Sequence, residues 1–184
     1  MKILIKDALI IPMAGESSSG DYWLKGDIAI LNGRVSGVGQ IGEGEFDKVI
    51  DGSGCVALPG FVNAHTHAAM TLFRSYADDL PLMEWLSKKI WPIEDRLTGE
   101  DVYWGSMLSI LEMIKSGTTT FADMYFFMED VARAVEETGI RAVLARGLVG
   151  VTSNGEEKLK EAKSFVQNWN GKAGGRIMRR KRKN

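Results

Sequence analysis

The sequence predicts an α/β protein in which a small all-β segment precedes a series of parallel βα units. Residues 1–58 are rich in glycine and short apolar runs and contain no helix-length periodic segment, which is the texture of short strands and tight turns. From residue 59 onward, β-branched runs alternate with stretches whose apolar residues recur at helical spacing, the pattern of strands joined by crossover helices. Apolar residues make up 45% and charged residues 26% of the 184, a globular composition rather than a disordered one.

Ile3 to Ile11 reads as one strand or a tight hairpin. Asn32-Gly33 is a strong hairpin signal between Asp27–Ile30 and Arg34–Val38. Val49-Ile50 leads through the turn signal Asp51-Gly52 to Cys55–Leu58. Four to six short strands are expected in this region. Leu58 to Ala64 is then a mostly apolar strand running straight into His65. Residues 79–91 are expected to be helical, with Leu82, Trp85, Leu86 and Ile90 on or near one face. Thr98 is an N-cap candidate with Asp101 three residues later, as in a capping box. The helix it opens carries Val102, Leu108, Leu111, Glu112 and Ile114 toward a glycine stop at Gly117. Thr118–Ala122 is a strand, Met128–Thr138 a helix closed by Gly139, and Ile140–Leu144 a strand. Glu156–Trp169 is a helix with Leu159, Ala162, Phe165 and Val166 on one side, and a fourth strand is expected to start at Ile177.

The totals exclude several functions. No apolar run is long enough for a membrane helix. The basic start MKILIKDALIIP is broken by Lys6 and Asp7 and reads as a strand, not a signal peptide. The single cysteine, Cys55, cannot form an internal disulfide, so a cytoplasmic location is expected. There is no Walker loop, and Gly37-Val38-Gly39 lacks the helix a dinucleotide fingerprint needs. The net charge of −1 conceals a basic tail: Arg176 to Lys183 holds six basic residues, and the rest carries 17 basic against 24 acidic residues. Nucleic-acid binding would rest on that tail alone, without interleaved aromatics or a recognition motif, and is not expected.

The only two histidines are His65 and His67. On a strand, residues i and i+2 point the same way, so two imidazoles can meet one metal ion. They stand at the C-terminal end of the first strand of the βα pattern, the edge where (β/α)₈ barrels carry their active sites. Zinc or iron suits such nitrogen donors. A bare HxH pair is a weak motif by itself, and a catalytic zinc wants a third protein ligand. Asp78, Asp79 and Asp123 are the available carboxylates. Asp123 ends the second barrel-type strand, where a polar strand-end residue is the favoured reading over a ligand.

Residues 58–67, LPGFVNAHTH, resemble the first barrel strand of the metal-dependent amidohydrolase superfamily. Residues 68–97, the segment KSGTTTFADMY at 115–125, RAVLARGL at 141–148 and Trp169-Asn170-Gly171 are similar to 5-methylthioadenosine/S-adenosylhomocysteine deaminases and their chlorohydrolase-like relatives. The resemblance implies a partial (β/α)₈ TIM-like barrel of the metal-dependent hydrolase type. Residues 1–58 would be a segment of a composite β-sandwich, 59–177 the first three βα units, and 178–184 a basic tail foreign to the family. It implies His65 and His67 as ligands of one divalent metal ion, zinc first, with iron or manganese as alternatives. It also implies Trp85 at an adenine pocket, Glu94 as acceptor for ribose hydroxyls and Arg146 toward the far part of the substrate. On the residues alone, Trp85 reads equally as helix core, Glu94 as a solvated helix-end charge and Arg146 as a strand-end ion-pair partner.

The implied reaction is hydrolytic deamination of an adenine nucleoside derivative, a small-molecule substrate; the implied oligomeric state is open. The alternatives are a chlorohydrolase, a guanine or cytosine deaminase, or a non-enzymatic fragment. The family's later metal ligands and its proton-transfer glutamate and histidine have no match in these 184 residues, so no catalytic acid or base is assigned. An inactive N-terminal fragment is the expectation. The run of cationic residues from Arg179 to Lys183 does not fit a strand core, because a buried unpaired charge is very costly.

Overall fold

The structure is a computed structural model that describes residues 1–13, 22–42, 44–148 and 155–178. The chain divides into two compact units, Met1–Pro59 and Gly60–Asn184.

The first unit is a five-stranded sheet of β1 (Lys2–Ile10), β2 (Leu24–Leu31), β3 (Arg34–Gly39), β4 (Lys48–Asp51) and β5 (Val56–Ala57). No helix occurs among the described residues of this unit. The order is β3-β2-β1-β4, with β5 also on β1; β2 and β3 run antiparallel, while β4 and β5 run parallel to β1. The hairpin at Asn32-Gly33 has φ of 50° and 77°, the two left-handed residues of a type I′ turn whose twist matches its strands. β1 is one strand with a bulge. The register shifts between Ile5 and Ala8, Asp7 adopts φ 57°, and its N–H donates to Asp27 Oδ1 at 3.0 Å.

The second unit is a four-stranded parallel sheet, β6 (Phe61–Thr66), β7 (Thr118–Tyr125), β8 (Arg141–Arg146) and β9 (Ile177–Met178), in sequential order. Between β6 and β7 lie a 3₁₀ turn (Ala68–Phe73), α1 (Leu82–Trp85), a π-helical turn (Leu86–Ile90), α2 (Trp91–Glu94) and α3 (Gly99–Lys115). α4 (Met128–Thr138) joins β7 to β8, and α5 (Gly155–Trp169) precedes β9. β7 buries alternate residues, Phe121, Asp123 and Tyr125, and β8 buries Ala142 and Leu144. These join Val102 and Ile110 of α3, Val131 and Val135 of α4, Phe165 of α5 and Ile177 in one core. The period-2 burial of the strands and the stripe on each helix are the two halves of one α/β layer.

Three expectations need correction. Residues 79–91 do not present one apolar face: the π-helical turn rotates the register, so Ile90 is buried, Trp85 and Leu86 are half-buried and Leu82 is exposed. Leu159, grouped with Phe165 on one side of its helix, is 44% exposed, while Phe165 holds the buried face of α5. Met178 is not a tail residue: it pairs with Val143 in β9. The remaining tail, 179–184, lies outside the described residues.

The start of α3 is a full capping box. Thr98 N–H donates to Asp101 Oδ2 at 2.9 Å, and Asp101 N–H donates to Thr98 Oγ1 at 3.3 Å. Thr98→Ala is expected to cost about 1 kcal/mol in urea denaturation. The Thr98 hydroxyl and N–H hold the Asp101 carboxyl below its ordinary value of 3.8. Its share of the cap is therefore intact above that value and is lost as the pH falls through the depressed folded value. The stability gap between wild type and Asp101→Asn should close on acidification below about pH 4; a gap that widens there would disprove the cap.

Candidate metal centre

The C-terminal ends of β6, β7 and β8 form one rim, and most of the candidate side chains stand along it. His65 and His67 lie on the same side of the β6 end, with ring centroids 5.3 Å apart and an interplanar angle of 79°. His67 Nδ1 is 2.7 Å from the Met124 carbonyl oxygen. A carbonyl only accepts, so this nitrogen carries the proton and donates, and Nε2 is left as a lone-pair donor. Metal-binding histidines are oriented in this way, by a hydrogen bond from the other ring nitrogen.

Asp123 is buried at 3% exposure beside this pair. Its Oδ1 accepts from Thr66 Oγ1 at 3.0 Å and from the Ala68 N–H at 3.1 Å, while Oδ2 is buried without a hydrogen-bond partner among the described residues. Burial pushes its carboxyl above the usual range, against the lowering effect of those donors. Asp123 is thus tied to the turn that carries the histidines.

Tyr125, which sequence reasoning did not single out, connects this pair to Glu94. Its ring is 6.0 Å from that of His67, and its hydroxyl donates to Glu94 Oε1 at 2.7 Å. Burial, and then the Glu94 carboxylate, push the phenol far above its ordinary value, so it remains a donor. Its place at the strand end, two residues after Asp123, was the available signal. Glu94 and Arg146 line one cavity of about 790 Å³ together with Trp91, Phe126 and Lys160. Arg146 stacks 5.3 Å over the Phe126 ring and donates from Nε to Glu161 Oε2 at 3.3 Å. Trp85 is not in this cavity. Its Nε1 donates to the Ala77 carbonyl at 2.9 Å, and it lines a second hollow of about 490 Å³ with Asp78 and Asp79.

The rim therefore joins His65, His67, Tyr125 and Glu94 in one contact chain, and Glu94 to Arg146 through the cavity, but not Trp85. The chain matches the amidohydrolase family over residues 56–183. It belongs to that family. This amidohydrolase-family chain is 58% identical over 179 residues to the 5-methylthioadenosine/S-adenosylhomocysteine deaminase of Syntrophomonas wolfei, covering 96% of itself and 41% of that relative. It is similar in structure to an adenosine deaminase from Xanthomonas campestris with bound zinc, at TM-score 0.83 and 29% identity, over 96% of this chain and 41% of that one. It shares its fold with the atrazine chlorohydrolase of Arthrobacter aurescens, at TM-score 0.81 and 19% identity, over 96% and 45% of the two chains. The chain thus spans about 41% of the length of the curated relatives it matches.

The residues present fit part of a divalent metal site. Two imidazoles lie edge to face and one has its tautomer set, but no group of three or more His, Cys, Asp or Glu side chains is placed to hold a metal ion among the described residues. No helix among the described residues is long and apolar enough to cross a membrane.

Asp123→Ala strands the Ala68 N–H, while the Thr66 hydroxyl keeps the Ala122 carbonyl at 3.0 Å as an acceptor, and is expected to cost about 1–2 kcal/mol. Asp123→Asn keeps the Oδ1 acceptor and should cost clearly less. Urea denaturation measures both, and hydrogen exchange at the Ala68 amide should accelerate in the alanine variant alone; equal losses in the two variants would disprove the anchoring role.

Proposed function

We propose that this chain is the metal-binding N-terminal portion of a deaminase acting on 5-methylthioadenosine, S-adenosylhomocysteine or a related adenine nucleoside. The observation that carries the reading is the His65–His67 pair with Nε2 of His67 left free. It stands in a chain that is 58% identical to such a deaminase over 96% of this chain and 41% of that relative.

His65 and His67 would hold one divalent ion, zinc first among the candidates. When bound, that ion would acidify a water molecule for attack near neutral pH. The net reaction adds water at the amino-bearing carbon of the purine ring, breaks that carbon–nitrogen bond and releases ammonia. Glu94 has one carboxylate oxygen engaged by Tyr125; the other would accept from substrate hydroxyls. Arg146 lines the same cavity and would face the substituent beyond the sugar. Trp85 would close over the purine only after its indole leaves the Ala77 carbonyl. Residues 1–58 would form a β-sandwich together with further strands of the full-length protein.

The test uses ammonia release from 5-methylthioadenosine, S-adenosylhomocysteine and adenosine with added zinc, manganese or iron. The 184-residue chain alone should show no turnover, because two imidazoles leave the ion without its other ligands. Grafting residues 1–178 in place of the matching segment of the full-length Syntrophomonas wolfei relative should give an active, metal-dependent enzyme. His65→Ala or His67→Ala in that hybrid should lower activity by more than about 100-fold, since even outer-shell partners contribute about 10- to 100-fold. A folded, metal-loaded hybrid inert toward all three substrates would overturn the assignment.

A further inference from the structure

α3 is apolar on both sides. Val102, Ser106, Ile110 and Met113 face the core, while Trp104, Leu108 and Leu111 form a stripe at i, i+4 and i+7 on the opposite side. These three are 57%, 41% and 55% exposed. Leu72 of the 3₁₀ turn, 46% exposed, widens the patch at Gly105, where the turn meets the helix. A helix on the outer layer of an α/β unit ordinarily turns a polar face outward. A contiguous apolar stripe rimmed by charge marks an interaction surface.

The arrangement along the helix is self-complementary. Trp104 and Leu111 are equally distant from a midpoint beside Leu108. Glu100 in the first turn and Lys115 in the last turn are equally distant from the same midpoint. A two-fold axis through that midpoint would lay two copies of α3 antiparallel. Leu108 would meet Leu108, each Trp104 the partner's Leu111, and each Glu100 the partner's Lys115. Antiparallel helices also set opposite dipole ends side by side. At one edge Arg74 is neutralised within its own chain by a bidentate pair with Glu112, at 2.9 and 2.7 Å, so it opposes no approach.

We propose that this face of α3 is a two-fold contact between two copies of the chain. The contact is isologous, as closed dimers require, and it does not depend on the reading of the metal centre. One helix face with Leu72 lies at the small end of stable interfaces, so the dimer is concentration-dependent.

Helix axes 8–10 Å apart with Cα radii near 2.3 Å bring facing Cα atoms to about 5 Å, within the ~4.4–6.8 Å of a disulfide. In a Cys55→Ser background, Leu108→Cys should therefore form a reducible dimer on mild oxidation at least about tenfold faster than Glu136→Cys, an exposed control on α4. Sedimentation velocity of the wild-type chain should show a monomer–dimer equilibrium that Trp104→Glu weakens at least about tenfold. Adding Leu111→Lys to Trp104→Glu places opposite charges across the axis and should restore both dimer and cross-link. A different protein, or another segment of the same one, covering this face would give no such rescue. A monomeric wild type, cross-linking equal to the control, or a dimer indifferent to Trp104→Glu would each overturn the proposal.

Discussion

The end of β7 is the constraint on which the rim depends, because three consecutive residues there each fix a different part of it. Asp123 holds the turn after β6 through Thr66 Oγ1 and the Ala68 N–H. The Met124 carbonyl sets the His67 ring. The Tyr125 hydroxyl holds Glu94. Strand side chains alternate, so Asp123 and Tyr125 share the buried face while the Met124 side chain points away. A slip of one residue in β7 would reverse all of this at once. The buried face of β7, packed with α3 and α4 residues around Phe121, holds the register.

That dependence ties stability to chemistry. A carboxylate at 3% exposure is costly unless donors satisfy it, and among the described residues Asp123 has hydrogen-bond donors at Oδ1 and none at Oδ2. Its carboxyl is accordingly displaced upward, with burial outweighing the Thr66 and Ala68 hydrogen bonds. A residue tuned for stability alone would be apolar here, like Phe121 two positions earlier. The polar choice fixes the direction in which the chain leaves β6, and hence the positions of both imidazoles.

Much of this was legible in the sequence. The hairpin at Asn32-Gly33, the Thr98–Asp101 box and the Gly139 stop are local, and local chemistry decided them. The shared side of His65 and His67 followed from strand periodicity. The helical segment after residue 81 was misread because a π-helical turn breaks the period that the reading assumed. The β7 clamp was out of reach for another reason. One of its bonds uses a backbone carbonyl that every residue possesses, and another joins Thr66 to Asp123 across 57 positions. Arg146 shows both readings together: it pairs with Glu161, as a strand-end cation would, and still lines the cavity.

The two imidazoles are held unequally, and under the proposed reading this would shape how the pair takes a metal ion. His67 is locked by the Met124 carbonyl, so its rotamer and tautomer are set before an ion arrives. Among the described residues the His65 ring has the His67 ring beside it but no side-chain hydrogen bond, its N–H reaches Asn63 Oδ1 only at 3.4 Å, and it lies on the edge strand whose apolar residues Phe61 and Val62 are 58% and 67% exposed. Ordering a side chain costs up to about 1–2 kcal/mol, and the His65 ring would bear that cost on binding the proposed ion. A further strand against the open edge of β6 would bury Phe61 or Val62 and remove the freedom of the His65 backbone in one step. Completing the sheet and sharpening the proposed metal site would therefore be the same event for β6.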